Sequence, residues 1–382
     1  MSMKQFYEQL RPQTETMVKV LREMVERETP SDNKAALDRF AAYLVEQFQM
    51  VPGARAELLT QAEQGNHVRV RWGACDGDEV GQILILCHFD TVWPLGEIER
   101  RPWREENGKL FGPGAFDMKG GIVQTLFALR TLAANGLTPR RPVTVLLNSD
   151  EEIGSHTSRP YIEEEARRSA ATLVLEPAMP DGAVKTWRKG VGGFKVKVTG
   201  VAAHAGADPE KGVSAIQELA QVILRLHAMT DFQAGTTLNV GVVRGGSRAN
   251  VVAAEAVADV DLRVMTAAEG ERVVREVLAL KPVTPGAKLE ISGGLNRPPL
   301  ERKPGNVALY ETARRLAAEV GIDLRESGTG GGSDGNFTAA LGCPTLDGLG
   351  PLGDGSHSLG EHVIAAGLPE RAALLAALLL AI

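Results

Sequence analysis

A chain of 382 residues is long for one domain and comfortable for two. Its 43% hydrophobic and 24% charged residues are ordinary for a globular protein, and a net charge of −6 gives no reason to expect a nucleic-acid or anionic-membrane partner. The three cysteines, Cys75, Cys87 and Cys343, lack the paired spacing of a disulfide framework or a Cys-type zinc site. The N-terminus has no apolar signal core. The longest apolar run, Ala372 to Ile382, is too short to span a bilayer and reads as a final core helix. These features predict a cytoplasmic protein with no membrane partner.

Leu10, Met17, Val20, Leu21 and Met24 fall at helical spacing, which predicts a helix over 3–27, ended by Thr29-Pro30-Ser31-Asp32. A second amphipathic helix is expected over 34–49, then strands over 55–60 and 67–72. Ile83 to Cys87 is an unbroken apolar run, the pattern of a strand buried on both faces, and it stops at His88-Phe89-Asp90. Residues 93–111 read as loop, and a glycine-rich turn over 112–121 leads into a helix over 122–135. A buried strand over 142–147 runs into Asp150-Glu151-Glu152, a helix lies near 157–167, and a strand over 172–175 runs into Glu176-Pro177.

The texture changes at Gly190. Strands over 193–199, 236–243, 251–264 and 287–292, with helices over 212–229 and 267–279, give the order β-α-β-β-α-β, the split βαβ arrangement. After Pro298-Pro299 come a helix over 304–319, the glycine-rich 328–335, a strand over 345–349 and the segment ending at His357. The expected organisation is an α/β catalytic domain built from 1–189 and 297–382, with a smaller α+β domain inserted at 190–296.

Ligands in an open α/β sheet gather beyond the carboxyl ends of its strands. Four such ends carry His88 with Asp90, Glu151 with Glu152, Glu176, and His357, while Asp117 opens a helix, where it could also be a simple N-cap. Asp90 can hold one ring nitrogen of His88 and leave the other for a metal. Three adjacent acids at 150–152 repel one another unless a cation or solvent screens them. A dinuclear zinc site would resolve this: it takes about two His and three carboxylates, one bridging ions roughly 3.5–4 Å apart.

The motifs His88-Phe-Asp90-Thr-Val, Gly114-Ala-Phe-Asp117-Met-Lys-Gly-Gly, Asp150-Glu151-Glu152-Ile-Gly-Ser, Leu175-Glu176-Pro177, Ala203-His204-Ala-Gly and Gly355-Ser-His357-Ser occur in one order. In this the chain resembles the zinc aminoacylase and carboxypeptidase superfamily, which includes glutamate carboxypeptidase, acetylornithine deacetylase and succinyl-diaminopimelate desuccinylase. Glu rather than Asp at position 176 places it nearest the glutamate carboxypeptidase branch. The resemblance implies two zinc ions per subunit, replaceable by cobalt or manganese. Asp117 would bridge them, with His88 and Glu176 on one ion and Glu152 and His357 on the other. It implies Glu151 as general acid/base, Asp90 as the support of His88, and a cis peptide between Asp117 and Met118. The inserted domain would be a lid and the interface of a homodimer. The implied substrate is a small peptide or N-acyl amino acid with a free carboxylate. Two departures fall near the site: Gly154-Ser155-His156-Thr157 in place of Gly-Ser-x-Gly, and Gly332-Ser333-Asp334 in place of Gly-Thr-Asp.

His204 could be a plain surface-loop histidine; the resemblance makes it an oxyanion ligand reaching the neighbouring subunit's site. Arg263 could simply pair with Asp261; the resemblance makes Arg263 and Asn250 ligands of the substrate carboxylate, a role suited to a guanidinium fork. Lys185 and Lys189 read as solvated surface lysines. His67, His156, His227 and His362 read as structural, and Glu361 as a brace for His357.

Overall fold

The computed structural model describes residues 1–73 and 81–382; Cys75 lies outside the described residues. The chain forms two compact units, one of Met1–Trp187, Arg302–Thr329 and Ser333–Ile382, the other of Arg188–Glu301 with Gly330–Gly332.

The first unit is built on a six-stranded sheet. Its order is Arg55–Leu59, His67–Trp72, Val143–Asn148, Gln82–His88, Ser169–Val174 and Thr345–Leu346. The first two strands pair antiparallel and join the rest antiparallel; the remaining four run parallel. Every residue of Gln82–His88 is buried. Side chains alternate across a strand, so Ile83, Ile85 and Cys87 enter a large core with the helices Lys34–Gln49, Gly120–Ala134 and Gly367–Ala381. Leu84 and Leu86 enter a smaller core with Ile162 and Phe337 on the opposite face. Two-sided burial explains why this strand is apolar throughout. It delivers His88 and Asp90, and its two parallel neighbours deliver Glu151 with Glu152 and Glu176, to the same edge of the sheet.

The segment 93–111, expected as loop, holds a short helix, Glu97–Arg100, and two strands, Arg104–Glu106 and Lys109–Phe111. Lys109–Phe111 pairs with His362–Ile364, which pairs with Gly353–Asp354. A three-residue strand carries no readable periodicity, and its state depends on a partner far along the chain. The expected helix over 3–27 is broken into Met3–Leu10, a 3₁₀ turn with Pro12, and Thr14–Val25.

The second unit is an antiparallel four-stranded sheet in the order Thr237–Gly245, Glu255–Val264, Gly190–Thr199 and Lys288–Arg297. Alternate residues Phe194, Val196, Val198, Ala256, Ala258, Val260 and Leu262 share one core with Leu219, Val222, Val273 and Val277 of the helices Ala215–His227 and Ala267–Leu278. Ser214 and Thr266 cap these helices by accepting from Gln217 and Glu269 backbone N–H groups. The order is the β-α-β-β-α-β expected from sequence. Asn250 lies in the turn between Thr237–Gly245 and Glu255–Val264. Among the described residues no helix is long and apolar enough to cross a membrane.

Candidate metal centre

His88 closes the central strand, with its imidazole 2% exposed. Nδ1 lies 3.0 Å from the Asp90 backbone carbonyl and 3.5 Å from Asp90 Oδ1. A proton on Nδ1 shared there leaves Nε2 as the free ring nitrogen. Nε2 stands 3.2 Å from Asp117 Oδ1 and 3.3 Å from Glu176 Oε1. His357, in a loop with φ of +60°, directs Nε2 to Asp117 Oδ2 at 3.4 Å and to Glu152 Oε2 at 3.2 Å. Asp117 therefore offers one oxygen to each histidine–glutamate pair. The Glu151 carboxylate lies within 4.8 Å of the ligand atoms of His88 and Glu176. The Asp117–Met118 peptide is cis.

These distances fit a metal. Zinc with nitrogen and oxygen ligands at ~2.0–2.1 Å in a tetrahedron sets those ligands ~3.3–3.4 Å apart. The four imidazole–carboxylate separations, 3.2 to 3.4 Å, lie at that spacing. Buried carboxylates converging in this way need positive charge. In the metal-free protein the two imidazoles supply it. Burial opposes a charged His88, yet Asp117, Asp90 and Glu176 outweigh it and hold its pKa well above the ordinary value. Asp117 and Glu152 push His357 up to about 11. Burial would raise Asp117, but both histidines hold it well below the carboxylate range. Burial lifts Glu152 to about 7.

Asp90 does more than support His88. It is fully buried, and its Oδ1 and Oδ2 accept the backbone N–H groups of Glu151 and Glu152, each at 3.1 Å. Ser31 Oγ donates to Oδ2 at 2.8 Å. One carboxylate thus ties the histidine strand to the turn that carries both acids. Of the three adjacent acids, Asp150 is bonded to the segment that follows it. Its Oδ2 turns back to accept from Thr157 N and Oγ1 at 2.7 and 2.8 Å and from Ser158 N at 3.3 Å, ahead of the helix Arg159–Arg167.

The two segments that depart from the family pattern meet through Ser155 and Asp334, residues that keep it. Asp334 accepts from Ser155 Oγ and, at 2.6 Å, from Asn148 Nδ2. Through Asp334, this buried link joins the segment following Glu152 to Asn148, the end of the strand that leads into the acids, and sequence reading missed it. Lys185, expected at the surface, is 7% exposed and donates to the Pro177 carbonyl at 2.8 Å. The chain reverses there, so a residue near a glycine-rich hinge is covered by the loop after Glu176. The Glu361 carboxylate reaches the Asp117 turn and not His357 directly. It accepts from the Gly114, Phe116 and Asp117 N–H groups and from the Trp93 indole. His67 is structural as expected: it is buried and hydrogen-bonded to Thr157 and Ser149.

In the second unit, His204 Nδ1 accepts from the Gly206 and Ala207 N–H groups, both at 3.1 Å. Its proton therefore sits on Nε2, which makes the exposed ring a donor. Asn250 is beside it: Ala205 N donates to the Asn250 carbonyl at 3.0 Å, and His204 bridges Val251. Arg263 is paired with Asp261, Nε to Oδ1 at 3.0 Å and Nη2 to Oδ2 at 2.9 Å, while Nη1 donates to the Gly330 carbonyl at 3.1 Å.

Histidines and acids gathered at the carboxyl ends of parallel strands, at metal-ligand spacing, mark a candidate metal centre. Residues 84–381 match the model of Peptidase family M20/M25/M40, and the chain belongs to that family. It is 32% identical over 303 residues to carboxypeptidase G2 of Pseudomonas sp., covering 78% of this chain and 73% of that protein. It is 30% identical over 305 residues to succinyl-diaminopimelate desuccinylase of Verminephrobacter eiseniae, covering 75% and 74%. Its fold is that of an M20 family metallo-carboxypeptidase from Sulfolobus solfataricus, with a TM-score of 0.72, 17% identity and coverage of 95% and 98%.

Proposed function

We propose that the protein is a dinuclear zinc carboxypeptidase that cleaves an amide bond and releases an amino acid bearing a free carboxylate. The observation that carries this is the division of Asp117: one oxygen faces the His88–Glu176 pair and the other the His357–Glu152 pair. Zinc bound there would lower the pKa of a water and polarise the scissile carbonyl. Glu151 takes the proton from the attacking water and delivers it to the leaving amine, at the edge where Asp90 fixes its backbone. His204, with its proton on Nε2, stabilises the developing oxyanion.

Similarity to carboxypeptidase G2 supports an exopeptidase, and similarity of like extent to desuccinylases supports an N-acyl amino acid deacylase as the second reading. Both demand a carboxylate next to the scissile amide, and Arg263 is the proposed anchor. The Asp261 pair holds its fork in a fixed plane, ready for a second carboxylate on Nη1. Arg263→Ala should lower kcat/KM by on the order of 10–100-fold on acids, from a charge-assisted bond of ~1.5–3 kcal/mol. The C-terminal amide of the same substrate should be cleaved poorly by wild type and little worse by the variant. Assays of zinc-loaded protein on dipeptides, N-acyl amino acids and their amides test this; equal cleavage of acid and amide by wild type sinks both readings.

The second unit's own geometry supports a homodimer. Arg263 pairs with Val191, whereas the strand end that leads to His204 and Asn250 pairs Glu255 with Thr199. At ~3.3 Å per residue, the strand from Val191 to Thr199 separates the two by roughly 26 Å. This spacing supports the proposal that His204 and Asn250 serve the partner's site while Arg263 serves its own. A mixture of His204→Ala and Glu151→Gln proteins should then regain activity on subunit exchange, because one hybrid site keeps both groups. No recovery after proven exchange would confine His204 to its own subunit or to no catalytic role.

A further inference from the structure

We infer that Glu361 is a positioning residue that aims Asp117 and couples it to the His357 loop. This rests on the proposal that Asp117 and His357 hold metal. Glu361 is 1% exposed, and its carboxylate is surrounded by four N–H donors. Oε1 accepts from Phe116 N at 3.0 Å and Asp117 N at 3.2 Å; Oε2 accepts from Gly114 N at 3.0 Å and Trp93 Nε1 at 2.8 Å. An ionised carboxylate has about four acceptor sites, so this cradle is filled.

Three of the donors are backbone groups of one turn, the turn that ends at Asp117. Gly114 enters it with φ of +72°, and a Cβ there would lie 2.5 Å from Thr91 Cγ2. The path of this turn therefore depends on an acceptor at its centre, and Glu361 supplies it from a loop far along the chain. The fourth donor extends the device. The Arg101 guanidinium stacks 3.9 Å from the Trp93 ring centroid, and its Nη1 donates to the Ser358 carbonyl at 3.3 Å. Ser358 follows His357. Glu361, Trp93 and Arg101 thus hold the Asp117 turn and the His357 loop in one arrangement, which is what a shared carboxylate between two imidazoles requires. Ligand atoms held by hydrogen-bonded partners of this kind bind metal more tightly because the site is formed in advance.

A carboxamide is nearly the same size but has one acceptor oxygen and an NH₂ that faces donors. Glu361→Gln should leave the overall fold of the metal-free protein in place and weaken zinc binding by about 10–100-fold. Trp93→Phe keeps the ring under Arg101 and removes only the indole donor, and should weaken zinc binding several-fold. The measurement is zinc affinity and stoichiometry by competition with a chromogenic chelator, with the circular-dichroism melt of each metal-free protein alongside. A purely structural Glu361 would lower the melt and leave zinc affinity within about twofold of wild type, and that result overturns the inference while leaving the metal centre intact. If Glu361→Gln does not fold, Trp93→Phe decides: weakened zinc binding supports the inference and unchanged affinity overturns it. If wild type binds no zinc, or Asp117→Asn binds it as wild type does, the metal-centre proposal fails and the inference falls with it.

Discussion

Glu151→Gln is expected to retain zinc and lose turnover by at least about 10²–10⁴-fold, the usual worth of a general base. The substitution preserves size, and the Glu151 N–H bond to Asp90 Oδ1 keeps the backbone in place. Glu151 is one of the acids near His88 and Glu176, yet it is not one of the four imidazole–carboxylate contacts at metal-ligand spacing. Removing its charge therefore should spare the metal and stop the proton transfer. In the proposed mechanism the same group also returns the proton to the leaving amine, so the loss should exceed that of a base alone. The check is kcat alongside zinc content for both proteins. Turnover within a few-fold of wild type at equal zinc content would move the proton-transfer role to another group.

His88, Glu176 and the acids at 150–152 were legible because each follows a largely apolar run, whereas Asp117 and His357 were assigned through the family resemblance. His88 after Ile83–Cys87, Glu176 after Thr172–Leu175 and the acids after Val143–Leu147 need only the rule that parallel strands open at their carboxyl ends. The alternation in the inserted unit was legible for the same reason: one-sided burial leaves a period of two, as in Phe194, Val196 and Val198. What escaped is whatever depends on backbone N–H groups, which every residue type carries. Nothing in the sequence marks Gly114, Phe116 and Asp117 as donors to Glu361, or Thr157 and Ser158 as donors to Asp150. Spacing alone suggested that Glu361 would reach His357, four residues away, and the structure turns it to a distant turn instead. The Asp334 link to Ser155 and Asn148 escaped for a related reason: three segments must fold together before it exists. Asp261 and Arg263 are the opposite case. Their period-two spacing places them on one face of a strand, and that local pair forms.

Asp117→Asn should have the largest effect on the metal itself. In the structure Oδ1 meets His88 and Oδ2 meets His357, so each oxygen completes a different pair. An asparagine keeps one oxygen and turns an NH₂ toward the other pair, where a donor replaces an acceptor and the shared negative charge is gone. A carboxylate touching two cations cannot be replaced by either half of an amide. Outer partners of metal ligands are worth about 10–100-fold in affinity, and a ligand shared by two ions should be worth more. Zinc bound per chain, measured by dialysis and elemental analysis at fixed free zinc, should fall from two equivalents to one or none, with activity lost in parallel. Glu361→Gln should differ from it in kind, since it leaves the ligand atoms in place and weakens both equivalents together. Two equivalents retained by Asp117→Asn at wild-type affinity would remove Asp117 from the bridging position and leave its two imidazole contacts as ordinary ion pairs.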